Sequence, residues 1–389
     1  MTHSITRLIP AALAMMASPL LAATTVIQAE RVIVPPDAPP LGRSTITVTD
    51  GRIVSIAEGW QDGADGATLV QLPGKTVLPG LIDLHVHLTG DPGGDFWRDA
   101  VEPAEWGVVV GAKNARLTAL AGFTTVREAG SAQQTAFSLR RGTEEGLIAG
   151  PRIIAAGPPL AIIGGHGDVT GFLPEINEIL SSGYSCTGAV ECAAKVRRAS
   201  QNGADTIKIT ATGGVLSQQG RGLEAHFTDS EMKSIADTAH SLGLKVMAHA
   251  HGARGIEAAS RAGIDTIEHG TYLDEAAARE MVKNGTVLIP TLMAFKGVTE
   301  RLGQGIYTPV VEDKIRAVAD VAQTFMGKAR NWGVPIAFGT DAGVFEHGRN
   351  AGEFALMRAQ GMTNREALAS ATTMAARVLE MENEIGRLA

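Results

Sequence analysis

The sequence has few cysteines, few aromatic residues and no excess of basic residues. It has only two cysteines, aromatic residues make up 4% of it, and 34 lysines and arginines face 41 aspartates and glutamates, a net charge of −7. This balance argues against nucleic acid as a partner, because phosphate binding needs a basic surface. No apolar stretch after residue 25 is long enough to span a membrane. The remaining composition, with 44% hydrophobic residues among 389, is that of a folded globular protein.

The first residues have the pattern of a secretory signal peptide. Arg7 precedes an apolar stretch over 8–21, and small residues follow it. We therefore predict a signal peptide over 1–23 and a periplasmic or secreted protein that has no membrane association after cleavage. An N-terminal membrane anchor is the alternative, for which the stretch is short. In an oxidising compartment Cys186 and Cys192 can form a local disulfide, and two free thiols are the other possibility.

Residues 24–75 predict a small β-sandwich segment. Two runs that favour strands, 44–50 and 52–57, are joined across Asp50-Gly51. Such a dipeptide between alternating runs indicates a β-hairpin.

From residue 76 to 389 the pattern changes to short apolar runs that alternate with helical stretches. The eight strand candidates are 81–87, 124–127, 152–156, 206–211, 245–250, 264–269, 286–291 and 335–340. Eight strands, each followed by a helix, predict a (β/α)8 TIM barrel, with a doubly wound open sheet as the alternative. Thr228, with Glu231 three residues on, predicts a capping box at the start of one of these helices.

Metal-binding residue types stand where these strands end. They are His85, His87, Lys208, His249, His269 and Asp341. Residues two apart on a strand point to the same side, so both histidines of the first strand can reach one ion. Taken singly, each residue has a simpler explanation, such as a buried ion pair for the lysine or a helix cap for the aspartate. Together, at the face where barrels carry their active sites, they predict a metal centre.

This set of residues resembles the amidohydrolase superfamily. The resemblance rests on 78–88 (LPGLIDLHVHL), 204–217 (ADTIKITATGGVLS), 248–252 (AHAHG), 268–271 (EHGT) and the GTDAG that contains Asp341. The chain is most similar to the binuclear subgroup of exported carboxypeptidases and dipeptidases, which includes prolidase-like and ochratoxin-hydrolysing amidases. Members usually continue into further strands that complete a β-sandwich. We therefore expect either that the C-terminal half of the sandwich is absent here or that N-terminal strands alone build this domain.

The resemblance implies two divalent metal ions, for which Zn²⁺ suits the ligand set, and Lys208 carboxylated by CO₂ as a bridging ligand. His85, His87 and Asp341 would hold one ion, and His249 and His269 the other. Asp341 would act as general base and then as general acid. The reaction would be hydrolysis of the amide bond of N-acyl amino acids or dipeptides, with ochratoxin A, a phenylalanine amide of an aromatic acid, as one candidate.

Further polar residues in the loops at the same face are candidate substrate contacts. They are His166, Arg221, His251, Tyr272 and Arg349. An arginine suits a substrate carboxylate. The glycine-rich stretch 213–222 has the composition of a mobile lid, with an ordinary solvated loop as the alternative.

Two other functions compete with this hypothesis. One is an imidazolonepropionase-like or deaminase-type hydrolase of cyclic amides, against which Lys208 argues because that mononuclear branch generally lacks the lysine ligand. The other is a non-catalytic binding module, which would be expected to have lost ligands. The predicted partners are a small amide or dipeptide substrate and further copies of this chain in a homo-oligomer.

Overall fold

The computed structural model describes residues 23–63, 65–132, 134–218 and 222–388. The predicted signal peptide lies outside these residues except for its last position, and so does Arg221. The chain divides into two compact units. Of the described residues, one unit contains 23–32 together with Leu41–Val77, and the other contains Ile33–Pro40 and Leu78–Leu388. In the part of the chain that the structure describes, no helix has the length and hydropathy needed to cross a membrane.

The small unit holds four strands, and the large unit holds the remaining strands and the helices. The strands are β1 Thr24–Val32, β2 Ser44–Thr49, β3 Arg52–Glu58, β4 Thr68–Val77, β5 Leu81–Val86, β6 Phe123–Glu128, β7 Arg152–Ala155, β8 Thr206–Thr210, β9 Lys245–Ala250, β10 Thr266–His269 and β11 Val287–Ile289. The helices are α1 Trp106–Leu120, α2 Thr135–Glu144, α3 Pro174–Leu180, α4 Ala189–Gln201, α5 Asp229–Ser241, α6 Ala253–Ala262, α7 Glu275–Asn284, α8 Leu292–Glu300, α9 Pro309–Ala319, α10 Phe325–Asn331, α11 Gly352–Ala359, α12 Asn364–Ser370 and α13 Thr373–Val378. Short 3₁₀ helices lie at Phe96–Ala100 and Val321–Gln323.

The predicted hairpin in the small unit is confirmed. Strands β2 and β3 pair antiparallel, with Thr49 opposite Arg52. Asp50 and Gly51 have φ angles of 50° and 76°, and positive φ at both central residues is what the tight hairpin turn requires.

The small unit is a single sheet of four strands in the order β3-β2-β1-β4. Strand β1 pairs antiparallel with β2 and parallel with β4, so both of its edges are covered. The expectation that the C-terminal half of a sandwich is absent is not borne out, because these N-terminal strands pair with one another into a sheet of their own.

The large unit confirms a mixed α/β fold with parallel strands. Its two sheets have the orders β5-β6-β7 and β11-β10-β9-β8, and every pairing within them is parallel. Helices cover the strands: Val196 of α4, Ile235 of α5 and Ile256 of α6 are buried and belong to one hydrophobic cluster with Ile207 of β8. Strands covered in this way read as short apolar runs, which is why the sequence predicted them.

The predicted last strand, 335–340, is not a regular strand. Its backbone groups form hydrogen bonds with several different partners. Leu288 N donates to Pro335 O at 2.8 Å, and Thr340 N donates to the carboxylate of Asp83 at 3.0 Å. Proline has no N–H to donate, and one acceptor is a side chain, so no continuous ladder forms. Isolated parallel bridges replace it at 336 and 342.

Helix signals in the sequence hold where a side chain caps the helix. Thr228 and Glu231 form the predicted capping box at the start of α5. Cys186, which precedes α4, and Cys192, which lies within α4, are joined in a disulfide with their Cα atoms 5.2 Å apart. The structure therefore selects the disulfide over two free thiols.

Candidate metal centre

Three of the predicted ligands form one compact group. Single ligand atoms of His85, His87 and Asp341 all lie within 4.8 Å of one another. Asp341 Oδ1 is 3.5 Å from His85 Nε2 and 3.3 Å from His87 Nε2. Lys208 is buried, and its Nζ lies 3.5 Å from His85 Nε2.

The rings of the two remaining histidines, His249 and His269, lie next to this group. The ring centroids of His249 and His269 are 4.6 Å apart, and His269 is 5.2 Å from His85. All six residues predicted as ligands line the same cavity, and they lie on or just after strands β5, β8, β9 and β10 and on the segment after Phe338. The structure therefore brings together every residue that the strand-end pattern had grouped.

Strained backbone sets the direction of several of these side chains. His269, Thr291 and Asp341 have φ angles of 72°, 48° and 62°. Residues with a side chain rarely adopt such angles, least of all a β-branched threonine. Because strain of this kind collects at functional sites, the backbone at these strand ends supports a functional role for the residues.

One ring nitrogen each of His85, His87 and His249 is hydrogen-bonded to an acceptor of the protein. His85 Nδ1 lies 2.6 Å from Glu268 Oε2, and His87 Nδ1 lies 2.8 Å from Gly130 O. A carboxylate and a carbonyl only accept, so both Nδ1 atoms donate, and in the neutral imidazole the Nε2 atom then carries the lone pair. Burial would lower the pKa of His87, but the hydrogen bond and charge of Asp341 raise it above its usual value. His249 differs, because its Nε2 donates to Gly213 O at 3.1 Å and its Nδ1 keeps the lone pair.

Sequence reasoning missed Glu268 and Arg127. Glu268 is fully buried and joins His85 to Arg127, whose Nη2 donates to Glu268 Oε1 at 2.9 Å. Arg127 is buried as well, and its Nε donates to Leu84 O at 2.7 Å. The sequence does show a charged residue inside each of two predicted strands, Arg127 in 124–127 and Glu268 in 264–269. Such a residue needs a partner, but the sequence does not show which one.

Asp83 is a third missed residue, and it fixes the position of Asp341. Its carboxylate accepts from Thr340 N and Oγ1 at 3.0 and 2.7 Å and from Asn350 Nδ2 at 2.8 Å. Asp341 N donates in turn to His85 O at 2.7 Å. Burial raises the pKa of Asp83 to about 6 although its hydrogen bonds oppose the shift. These contacts tie the segment before Asp341 to strand β5.

The electrostatics of the group suit a cation. Burial and then the charge of Lys208 lower the pKa of His85 to about 4, and burial lowers the pKa of His249 and His269 well below the usual value. These imidazoles are therefore neutral near pH 7 and can act as ligands. Burial would raise the pKa of Asp341, but its interactions with His85, His87 and Lys208 together hold it below its usual value, so the aspartate carries a negative charge.

Burial lowers the pKa of Lys208 to about 8, against the opposing charges of Glu268 and Asp341. Part of the lysine is therefore neutral under mildly alkaline conditions. Neutral nitrogen donors, one carboxylate and a lysine of lowered pKa in one buried group fit a divalent metal centre.

Two of the predicted substrate contacts lie in the cavity. His166 and His251 line it, and their ring centroids lie 4.2 and 4.6 Å from that of His249. His251 Nδ1 is 2.7 Å from Thr271 Oγ1, and His166 Nδ1 is 3.1 Å from Ser217 Oγ.

The structure does not bring the other predicted contacts to the cavity. Tyr272 donates its hydroxyl to Ala317 O at 3.1 Å. Arg349 is held at the surface by ion pairs of 3.0 Å with Glu300 and 2.8 Å with Glu346. Both residues were predicted because they lie a few residues after a strand in the sequence, and that position does not show which carbonyl or carboxylate each side chain contacts. Arg221 lies outside the described residues.

The described half of the glycine-rich stretch, 213–218, is buried or half-buried. Lys314 of α9 donates to Gly214 O at 2.9 Å and to Ser217 O at 2.6 Å. This half is therefore packed against α9 and is not a solvated loop.

The cavity measures about 1380 Å³. Its buried end carries the candidate ligands together with His166 and His251, and its outer part carries mostly apolar side chains. Most cavities that hold small molecules are smaller, at about 300–1,000 Å³.

A parallel α/β unit with histidines, an aspartate and a buried lysine at the strand ends defines a class of hydrolases. The chain belongs to the amidohydrolase family, whose model matches residues 76–389. It is accordingly a hydrolase that acts on amide bonds, and the resemblance found in the sequence is confirmed.

Individual relatives support the same subgroup. The chain is 30% identical to ochratoxinase of Aspergillus niger over 373 residues, which cover 88% of this chain and 74% of that protein. The crystal structure of A. niger ochratoxinase has a TM-score of 0.83 and 26% identity, and the match covers 95% of this chain and 87% of that one. A Xaa-Pro dipeptidase with methionine bound in its active site is 35% identical with a TM-score of 0.86, covering 94% and 91%. A prolidase in complex with N-methylphosphonate-L-proline is 32% identical with a TM-score of 0.86, covering 94% and 90%.

Proposed function

We propose that this protein is an exported binuclear metal amidohydrolase that releases the C-terminal amino acid from N-acyl amino acids or dipeptides. The observation that carries the proposal is the grouping of His85, His87 and Asp341 around the buried Lys208, with His249 and His269 beside them. Amide hydrolysis needs an activated water molecule, a polarised carbonyl and a proton donor for the leaving nitrogen. The group contains residues suited to each need.

In this proposal His85, His87 and Asp341 hold one divalent ion, and His249 and His269 hold the other. Zn²⁺ suits these nitrogen and oxygen donors. When bound, divalent ions supply Lewis acidity, which makes water more acidic and polarises the amide carbonyl.

Lys208 is the proposed bridging ligand after reaction with CO₂. Its neutral amine would attack the carbon of CO₂, forming an N–C bond and releasing one proton, and the product is an anionic carbamate. The lowered pKa of Lys208, about 8, supports this step because only the neutral amine has the required lone pair. The carbamate would also remove the cost of burying an ammonium group.

Asp341 is the proposed catalytic base and acid. It is ionised, lies at the centre of the ligand group and lines the cavity. It would take a proton from the attacking water and pass it to the amide nitrogen as the C–N bond breaks. The products are a carboxylic acid and a free amino acid.

The relatives support an amide with a free carboxylate on its amino-acid side. Their names describe enzymes for ochratoxin and for Xaa-Pro dipeptides. We propose that His166 and His251, with Arg221, contact the carboxylate, and that ochratoxin A, which would give ochratoxin alpha and phenylalanine, is one candidate substrate.

The fold around this site is, in our proposal, a closed (β/α)8 barrel. Isolated parallel bridges support closure: Leu160 pairs with Ile209 between β7 and β8, and Leu288 pairs with Ile336 next to β11. Val86 of β5 pairs with Ala342, on the segment that follows Ile336. For export, the Cys186–Cys192 disulfide is the supporting feature, since disulfides persist in oxidising compartments.

A substrate panel on metal-loaded protein tests the proposed function. The chain is freed of metal with a chelator, reconstituted with zinc and bicarbonate, and assayed on N-acyl amino acids, Xaa-Pro dipeptides, ochratoxin A and a cyclic amide such as dihydroorotate. We expect release of free amino acid from at least one open-chain amide, and no turnover before zinc is added. Turnover of the cyclic amide alone, or activity unaffected by the chelator, would contradict the proposal.

A further inference from the structure

Apolar side chains surround the outer part of the catalytic cavity. Trp106 and Val109 lie in the first turn of α1, Phe96 lies in the 3₁₀ helix before it, and Ile179 and Leu180 end α3. We name these five residues the apolar mouth. All of them line the same cavity as the candidate metal ligands, so a substrate bound at the ligands can extend towards them within one cavity.

The apolar mouth is unusually exposed. Trp106, Val109 and Ile179 are 50%, 57% and 81% exposed, and none of the residues of α3 is buried. Single exposed apolar residues are common on protein surfaces, but a contiguous group at the entrance of a cavity marks a binding surface. Phe96 packs against Phe172 with ring centroids 5.4 Å apart, which gives part of the mouth a fixed aromatic wall.

Charged residues near the mouth are paired with one another. Lys113 Nζ lies 2.6 Å from Asp91. Arg98 lies 3.3 Å from Asp95 and 3.4 Å from Glu102. All five of these residues line the cavity, and three acids against two bases leave one net negative charge, so the outer part of the cavity disfavours a carboxylate.

A positive charge acts on another part of the cavity. Lys314 lies on α9 against the loop of Gly214, where its Nζ donates to Gly214 O and Ser217 O, and the Ser217 hydroxyl lies 3.1 Å from His166 Nδ1. This positive charge favours a carboxylate beside His166, which lines the cavity. The amino-acid end of the substrate is thereby separated from the apolar mouth.

Resting on the amidase activity proposed above, we propose that the apolar mouth binds the acyl part of the substrate and that this part is large and apolar or aromatic. Water adds its hydroxyl to the acyl carbon and its proton to the nitrogen, so the products are a bulky apolar carboxylic acid and an amino acid. The cavity of about 1380 Å³ has room for such an acyl group, whereas a dipeptide of small residues would leave most of it to water.

The test is a series of phenylalanine amides that differ only in their acyl group. N-acetyl-, N-octanoyl- and N-(1-naphthoyl)-L-phenylalanine are assayed with the zinc-loaded full chain. We expect kcat/KM to rise by about tenfold or more from acetyl to naphthoyl, as apolar contacts in an enzyme pocket typically contribute. In Trp106→Ala and in Ile179→Ser the ratio of naphthoyl to acetyl should fall severalfold.

Val190→Ser is the matched control. Val190 is 86% exposed on α4, and it is not among the residues that line the cavity. This variant should keep the wild-type ratio. If the wild type hydrolyses the three amides equally, or if both mouth variants keep the wild-type ratio, the inference is overturned while the amidase activity stands.

Calorimetric binding separates the two proposals if no amide is hydrolysed. That result would end the proposed function for these substrates. Binding of N-(1-naphthoyl)-L-phenylalanine that weakens in Trp106→Ala but not in Val190→Ser would still support the apolar mouth. Equal binding by both variants, or no binding by the wild type, would overturn it.

Discussion

Replacing Glu268 by glutamine should weaken metal binding and folding through two different contacts. Glu268 is fully buried; its Oε2 accepts from His85 Nδ1 at 2.6 Å, and its Oε1 accepts from Arg127 Nη2 at 2.9 Å. Burial opposes its ionisation, but Arg127 and His85 lower its pKa to about 2, so it carries a full negative charge. Glutamine has nearly the same size but no charge. Its amide can accept only through its single oxygen.

Each contact gives an expected magnitude. Loss of a carboxylate partner of a metal-binding histidine typically costs about 10–100-fold in metal affinity, because the ring loses its fixed orientation and part of its basicity. We expect the Kd for zinc to rise by that factor. The second loss concerns Arg127, whose guanidinium stays buried without a counter-ion, and breaking a buried pair in this way costs about 3–5 kcal/mol of folding free energy.

A double variant separates the two effects. In Arg127→Met/Glu268→Gln both charges are absent, so most of the folding free energy should return, while zinc affinity should stay low because His85 still lacks its carboxylate. Zinc affinity is measured by competition with a chromophoric chelator, and stability by urea unfolding in the presence of EDTA.

Glu257→Gln is the control for this experiment. Glu257 pairs with Arg261 on the exposed face of α6, and surface pairs contribute about 0–1 kcal/mol. Zinc affinity of Glu268→Gln equal to that of the wild type, or a double variant no more stable than the single one, would refute the reasoning.

Three further predictions concern separate parts of the molecule. Lys208→Ala should lose activity, and the wild type in ¹³C-bicarbonate should show a carbamate carbon signal that the variant lacks; full activity of the variant would favour a mononuclear mechanism. Burial raises the pKa of Glu353 from 4.5 to about 8 although its bonds to Leu292 N and Met293 N oppose the shift. The stabilisation from its bound proton is complete below pH 4.5 and is lost as the pH rises through about 8. Glu353→Gln should therefore flatten the fall of unfolding free energy between these pH values, and an unchanged slope in urea titrations would contradict the assignment. Replacing Cys186 and Cys192, six residues apart, by alanine should lower the unfolding free energy by about 2 kcal/mol, and an unchanged midpoint in calorimetry would show that the bridge contributes nothing.

The sequence by itself determined the features that depend on short spacing. The two-residue period of a strand put His85 and His87 on one side, and Asp50-Gly51 and the Thr228–Glu231 capping box marked a turn and a helix start. Polar residues at the ends of buried apolar runs identified the candidate ligands, because burying a polar side chain costs free energy unless it is hydrogen-bonded, paired or bound to a metal. These patterns are local, so no knowledge of distant neighbours was needed.

Only the tertiary structure decided which distant groups meet. Glu268 is 183 residues from His85, and Thr340 is 257 residues from Asp83, yet both pairs are joined by buried hydrogen bonds. Arg349 shows the converse, since its nearest acids at the surface hold it away from the cavity that the sequence had assigned to it. The physical reason is that a charged side chain takes the partner that chain packing brings within about 3 Å, and that partner is set by how strand ends and helices are arranged in space.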